Sequence, residues 1–364
     1  MTRTALIIGA TGLSGSNLAA RLSASGGWHV CGLSRGGKEV PGVDTPVAAD
    51  LTDEAASGAA LSALSDVTHV FFCTWSKQDT EAENCRVNRA MVRNALNGLA
   101  DAPLKHVALV TGTKHYLGPF EAYAQGRPYT PFLEDQPRLP GENFYYAQED
   151  EIFEAARQRG FTWSVHRPHT MIGYTLGNAM NMGVTLAVYA SICAETGQPF
   201  LFPGSKAQYR AVADITDARL LARHLEWSAT TSDAANTAFN VVNGDLFRWE
   251  WMWGRIADWF GLQDAGAPHQ VMPLQCQMQD ADKIWSRIVT KYGLGDHPVS
   301  ALASWWHTDA DLGREIECFN DMKNSRQAGF CAHQSSCDSF FDVFEMLVKN
   351  RIIPAPSGKE NLCQ

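Results

Sequence analysis

The chain has 364 residues, 45% of them hydrophobic and 19% charged, with a formal net charge of −9, enough to bury the core of one large α/β domain or of one domain and a smaller lobe. The acidic balance and the lack of a Lys/Arg-rich run argue against a nucleic-acid partner, and no stretch reaches the ~20 apolar residues of a membrane span. Nine cysteines are scattered without C-x-x-C spacing, and the apolar run from Ala5 breaks at Gly9, so reduced thiols in a cytoplasmic protein are expected.

The first two-thirds alternate strand and helix. "TALIIGA" reads as strand one, 14–25 as a helix, 28–34 as strand two, and "VDTPVAADL" carries strand three. Strand four is expected over 68–75, a long amphipathic helix over 82–100, strand five over 106–113, a helix over 143–160 ending at Gly160, and strand six over 161–168. This order predicts an α/β fold, a Rossmann-type doubly wound parallel sheet.

Beyond Pro168 the pattern is less regular, with helices expected in "GNAMNMGVTLAVYASICAETG", "RWEWMWGRIADWFG" and "SSCDSFFDVFEMLVKN" and a strand in "AFNVVN". The expected division is a nucleotide-binding core over 1–174 with 207–245 returning to it, a smaller, mostly helical C-terminal substrate lobe over 175–206 and 246–354, and a tail over 355–364.

"GATGLSG" follows strand one and opens a helix, so Gly9, Gly12 and Gly15 have G-x-x-G-x-x-G spacing. Glycines permit a tight turn and close approach of backbone to a pyrophosphate, while the helix N-terminus offers free N–H groups and partial positive charge. Thr11 and Leu13 belong to the same turn. At the end of strand two an acid would hold a ribose 2′-hydroxyl, but the chain has Ser34 and Arg35 there, a pair suited to a 2′-phosphate. NADPH is therefore the expected cofactor. By topology Asp50 and Leu51 flank the adenine, Thr74 and Trp75 end strand four beside the cofactor, and Thr111, Pro168 and Met171 complete its expected contacts.

"NFYYAQED" offers two tyrosines, yet the residues four after Tyr145 and Tyr146 are Glu149 and Asp150, where a dehydrogenase tyrosine helix would carry lysine. Lys114, where strand five runs out into "VTGTKHYLGPF", can supply the missing cation, and an ammonium near a phenol lowers its pKa from about 10. Sequence spacing does not choose between the tyrosines, which project about 100° apart on a helix. Glu149 and Asp150 read as helix-face charges. His106, His115, His166 and His169 have no metal-ligand spacing with nearby acids, so no metal site is expected.

"TGTKHYLGPFE", "NFYYAQED", "WSVHRPHTMIGY" and "AFNVVNGDLFRWEWMW" together resemble the progesterone 5β-reductase/iridoid synthase family of atypical extended short-chain dehydrogenases, over about residues 5–354. The resemblance implies an NADPH-dependent ene-reductase acting on the C=C bond of enones and enals, with Lys114 as the family lysine and Tyr145, the first of the pair, as the catalytic tyrosine. Phe120 then matches a pocket residue, and Tyr146, His169, Met180 and Trp306 are the further substrate-side candidates. Plant members tend to have glycine where this chain has His169. The resemblance also suggests a homodimer. Two readings stay open: a carbonyl reductase or a nucleotide-sugar epimerase or dehydratase of the extended short-chain type, and a non-catalytic NADPH-sensing module.

Overall fold

The structure, a computed structural model, describes residues 3–118, 129–177 and 180–359. Its first half runs β1 (Arg3–Ile8), α1 (Leu13–Ser25), β2 (Trp28–Ser34), β3 (Thr45–Ala48), α2 (Glu54–Leu61), β4 (His69–Phe72), α3 (Glu81–Gly98) and β5 (His106–Val110). Then come α4 (Lys114–Leu117), α5 (Phe144–Arg159), β6 (Thr162–Pro168), β7 (Met171–Ile172), α6 (Met182–Thr196), α7 (Lys206–Arg210), β8 (Val212–Ala213), β9 (Thr216–Asp217) and α8 (Ala218–Thr230). The remainder is β10 (Thr237–Val241), β11 (Phe247–Arg248), α9 (Trp249–Phe260), α10 (Leu274–Gln277), α11 (Ala281–Tyr292), α12 (Val299–Leu302), α13 (Trp305–Leu312), α14 (Lys323–Gln327) and α15 (Ser336–Lys349).

Seven strands form one parallel sheet in the order β10-β6-β5-β4-β1-β2-β3. The order reverses at β1, so the crevice beyond its carboxyl end is where a doubly wound sheet receives ligands. Alternation along β1 shows why the sheet must be covered twice. Leu6 and Ile8 join a core with residues of α2, α3 and α5, while Ala5 and Ile7 join one with residues of α1 and α8.

A third core belongs to the lobe, built from α6, α9, α11 and α15 with the segments between them. Twelve consecutive residues of α6, from Met182 to Cys193, are buried, so this helix runs through the lobe. On α9, Trp249, Trp253 and Trp259 are buried while Trp251 is exposed, and Trp253 stacks on Phe200 with centroids 4.3 Å apart. Trp253→Ala would cost about 3–5 kcal/mol by leaving a large cavity. The edge strand β10 and the sheet-covering α8 both lie within 207–245.

Strand five stops at Val110 rather than 113, and the chain turns directly into the single helical turn of α4. That break sets Lys114 on a helix N-terminus at the sheet's ligand-binding edge. Asn143 caps α5, its Oδ1 accepting from Tyr145 N at 3.0 Å. Gly160 ends the helix at φ 77°, a left-handed position suited to glycine. No helix among the described residues is long and apolar enough to cross a membrane.

Candidate active site

The turn after β1 is shaped by what its glycines leave out. Gly9 has φ +86°, and a Cβ there would lie 2.7 Å from the Thr74 Cβ and 2.9 Å from the Cys73 carbonyl oxygen. A Cβ on Gly15 would come within 2.2 Å of the Gly9 carbonyl oxygen. Thus the start of α1 can close on the end of β1 only with glycine here. Gly12 is the N-cap of α1 and supplies no side-chain cap, leaving the first amides of the helix to a ligand. Thr11 is exposed at the turn and Leu13 is buried beneath it. Ser14 Oγ donates to Met171 Sδ at 3.4 Å, which ties the turn to the segment after β6.

At the end of β2 Arg35 is exposed, while Ser34 Oγ accepts the Lys38 amide at 3.1 Å. Across from them Asp50 Oδ1 accepts the Thr52 amide and hydroxyl at 3.0 and 2.8 Å. Those bonds hold its carboxyl below the usual range, with a smaller contribution from Arg35. Leu51 is buried next to it. The glycine turn and the uncapped helix start are the groups that a dinucleotide pyrophosphate requires.

The second half of the site lies where β5, β6 and α5 meet. A Cβ on Gly112 would lie 3.2 Å from Tyr145 Oη and 3.4 Å from the Pro168 carbonyl oxygen, so the phenol rests at the exits of β5 and β6. Thr111 is buried, its amide and hydroxyl donating to the His166 carbonyl at 2.7 and 3.1 Å. Trp75 stacks on Phe144 at 5.0 Å, and Phe144 lies against Tyr145 at 4.4 Å.

Lys114 is 8% exposed. Its Nζ donates to Glu81 Oε2 at 2.6 Å and stands 4.5 Å from the Phe144 ring centroid. Glu81 Oε1 accepts the Phe144 amide at 2.8 Å, and Asn143 Nδ2 donates to the Lys114 carbonyl at 3.1 Å. One carboxylate therefore ties together α3, α4 and α5. Sequence reasoning missed Glu81, Asn143 and Phe144. The acid follows the helix-capping Thr80, but nothing local links it to a lysine 33 positions on.

The structure separates the two tyrosines. Tyr146 is buried, donating from Oη to the His115 carbonyl at 2.7 Å and accepting the Leu139 amide at 3.0 Å. Burial raises its pKa. These bonds make it a strut between α4, α5 and the preceding loop, which differs from the expected substrate contact. Glu149 also departs from expectation. It is 2% exposed and pairs with Arg138 at 2.7 Å, while Arg138 reaches the exposed Asp150 at the same distance. Burial raises its pKa, opposed by Arg167 and Arg138. Only Asp150 is a solvated helix-face charge, because Glu149 lies on the side of α5 turned inward.

His169 is likewise buried, between Asp214 and Arg314, and so packs into the junction with the lobe rather than facing open space. Trp306 is 38% exposed, with Lys77 Nζ 4.4 Å above its ring, so it bridges the loop after β4 and the lobe. Met180 is also 38% exposed, ahead of α6. Phe120 lies outside the described residues. Among those residues no group of His, Cys, Asp and Glu could hold a metal.

A Gly-rich turn that opens a helix and a seven-stranded parallel sheet define a protein of the Rossmann type. Solved structures agree on the fold. The terminal R domain of the myxalamid biosynthetic pathway matches with a TM-score of 0.65 at 18% identity, covering 98% of this chain and 93% of that one. RMD from Pseudomonas aeruginosa, a complex with NADPH, matches with a TM-score of 0.64 at 13% identity over 94% and 98%.

The chain belongs to the PRISE-like Rossmann-fold family, whose profile matches residues 39–354. It is 39% identical to an (S)-8-oxocitronellyl enol synthase of Camptotheca acuminata, over 96% of this chain and 93% of that protein. It is 40% identical to an enzyme of the same name from Nepeta racemosa and 38% identical to the 3-oxo-Δ4,5-steroid 5β-reductase of Arabidopsis thaliana, each over 96% of this chain and 93% of the relative. It is an oxidoreductase of this enone-reducing family.

Proposed function

We propose that this enzyme carries out NADPH-dependent 1,4-reduction of α,β-unsaturated carbonyls, with Tyr145 as hydrogen-bond donor to the substrate carbonyl and Lys114 tuning it. The observation that carries the assignment is the position of the Tyr145 hydroxyl over Gly112 at the exits of β5 and β6, with Lys114 at the adjoining turn. A relative named for reducing a 3-oxo-Δ4,5-steroid, itself a conjugated enone, supports the substrate class.

NADPH, when bound, supplies a hydride to the β-carbon of the substrate. Negative charge then gathers on the carbonyl oxygen as the enolate forms. Tyr145 donates its hydrogen bond to that oxygen, an oxyanion contact of about 2.7–4 kcal/mol by the measure of other such donors. The α-carbon takes its proton from water. Gly9, Gly12, Gly15 and the start of α1 would hold the pyrophosphate, and Ser34 and Arg35 the 2′-phosphate. Trp75 and Phe144 shield one side of the tyrosine with apolar surface.

The test follows NADPH consumption with cyclohexenone, progesterone and an acyclic terpenoid enal, with product analysis. Saturated carbonyl products that disappear in Tyr145→Phe are expected. Allylic alcohols would instead assign 1,2-reduction, and NADPH binding without turnover across the panel would favour a cofactor-sensing role.

A further inference from the structure

A buried ammonium needs a partner, because an unpaired charge shielded from water is strongly disfavoured. Lys114 takes Glu81, and that choice changes what the lysine can do to Tyr145. A lone cation beside a phenol favours the phenolate. A phenolate accepts hydrogen bonds and donates none, so it would repel a developing enolate. With the carboxylate 2.6 Å from Nζ, the opposite charge weakens the field of the ammonium at a third group. The same carboxylate accepts the Phe144 amide at 2.8 Å, one residue before Tyr145, so it also fixes where the phenol stands. Asn84 Nδ2 holds Oε2 from the following turn of α3 at 3.3 Å.

Resting on the reading that Tyr145 and Lys114 serve the reduction, we propose that Glu81 is a positioning residue that keeps the Tyr145 hydroxyl protonated, and so a hydrogen-bond donor, at neutral pH. It does so by moderating the field of Lys114, so that the lysine tunes the phenol without ionising it, and by anchoring the first turn of α5.

The other charged and titratable neighbours leave this pairing in place. On α3, Cys85 sits within reach of Glu81, Glu142, Lys114 and Arg89, and burial first, then the two acids, push its thiol pKa up, so it adds no charge. Arg89 turns to Asp150 and Glu151 of α5. On α4, His115 faces the Gln136 carbonyl and is held neutral by burial, its pKa pushed down to about 3. In β6, Arg167 is spent on Tyr116 and the Glu134 carbonyl.

The experiment is the pH dependence of kcat/KM for enone reduction in wild type, Glu81→Gln, Glu81→Asp and Tyr145→Phe. Glutamine keeps an oxygen for the Phe144 amide and removes the charge. Its alkaline limb is expected to move about one pH unit or more toward acid, with activity at pH 6 less affected than at pH 8. Glu81→Asp, which keeps the charge, is expected to hold the wild-type limb, and lysine removal in Glu81→Gln/Lys114→Met should return the limb to high pH. A limb that stays put in Glu81→Gln, or moves as far in Glu81→Asp, overturns the proposal. Tyrosinate absorbance of the substrate-free proteins, with Glu81→Gln/Tyr145→Phe as reference, reads the same shift without turnover. Full activity in Tyr145→Phe would overturn the underlying assignment instead, so the two failures are distinguishable.

Discussion

His169 Nδ1 lies 2.7 Å from Asp214 Oδ1, with both side chains buried at the junction of sheet and lobe. On the far side of the ring, Arg314 donates to Nε2 at 2.9 Å. A guanidinium only donates, so Nε2 accepts and the ring proton sits on Nδ1, facing Asp214. Arg314 also pairs with Asp311, which accepts from Thr170, and Asp214 accepts the Asn320 amide at 2.7 Å. The lobe segment 311–320 is thereby clipped to the residue that follows β6. His169→Gly should remove one buried hydrogen bond from each of Asp214 and Arg314, which keep Asn320 and Asp311, at a total cost of about 1–3 kcal/mol. A urea midpoint equal to that of wild type would contradict this account.

The two adjacent tyrosines should behave differently. Tyr145→Phe is expected to lower kcat about 100- to 1,000-fold, the usual loss for an oxyanion donor, while the NADPH dissociation constant holds. Tyr146→Phe removes a buried hydroxyl bonded to the His115 carbonyl and should lower stability by about 1 kcal/mol with less effect on kcat. Steady-state kinetics beside a denaturant series separates the two. Equal loss of turnover and cofactor binding in Tyr145→Phe would count against its assigned role.

Cofactor choice should rest on Arg35. Arg35→Ala removes a charge-assisted contact of about 1.5–3 kcal/mol to a 2′-phosphate, so kcat/KM for NADPH should fall at least about tenfold while that for NADH changes little. Parallel losses with both cofactors would place Arg35 away from the phosphate.

Acid should unfold the protein through its histidines. Burial holds His69 at about 4, His106 and His224 at about 3, and His166 well below its ordinary value. Three of them are linked, His106 and His166 through Ser164 and His166 to His224 at 3.0 Å. Below pH 6.5 the unfolded chain binds protons that the folded chain refuses, so their stabilisation is complete above that value and is lost as pH falls toward 3–4. Glu134 acts in the opposite sense. Burial raises its pKa to about 7, so its folded form takes up a proton as pH falls from 7 toward 4.5 and offsets part of the loss. The urea midpoint should decrease between pH 6.5 and 5, and a flat profile would mean that these rings can be charged in place.

The alternation of strand and helix, the glycine turn and the region of the tyrosine helix were all legible in the sequence, because each is a local property. A strand followed by G-x-x-G-x-x-G leaves few conformations open to the backbone, and Arg35 follows β2 directly. The ends of strands four and five were less legible. Thr74, Trp75 and Lys114 follow strands that stop at Phe72 and Val110, because there the chain leaves the sheet for the ligand crevice.

What the local pattern lacked was partnership across the fold. Tyr145 and Tyr146 are equivalent in composition and spacing, and only the packing of α5 on β5 and β6 sends one hydroxyl to the strand exits and the other into the His115 carbonyl. Glu149 looked like a surface charge, yet the inward face of α5 buries it against Arg138. Glu81 and Lys114 are 33 residues apart, and His169 and Arg314 are 145 apart. Residue type and short-range period determine which elements form and which groups are available. Which charges cancel and which hydroxyl is exposed to chemistry depends on burial and distance, and those exist only once the elements have packed.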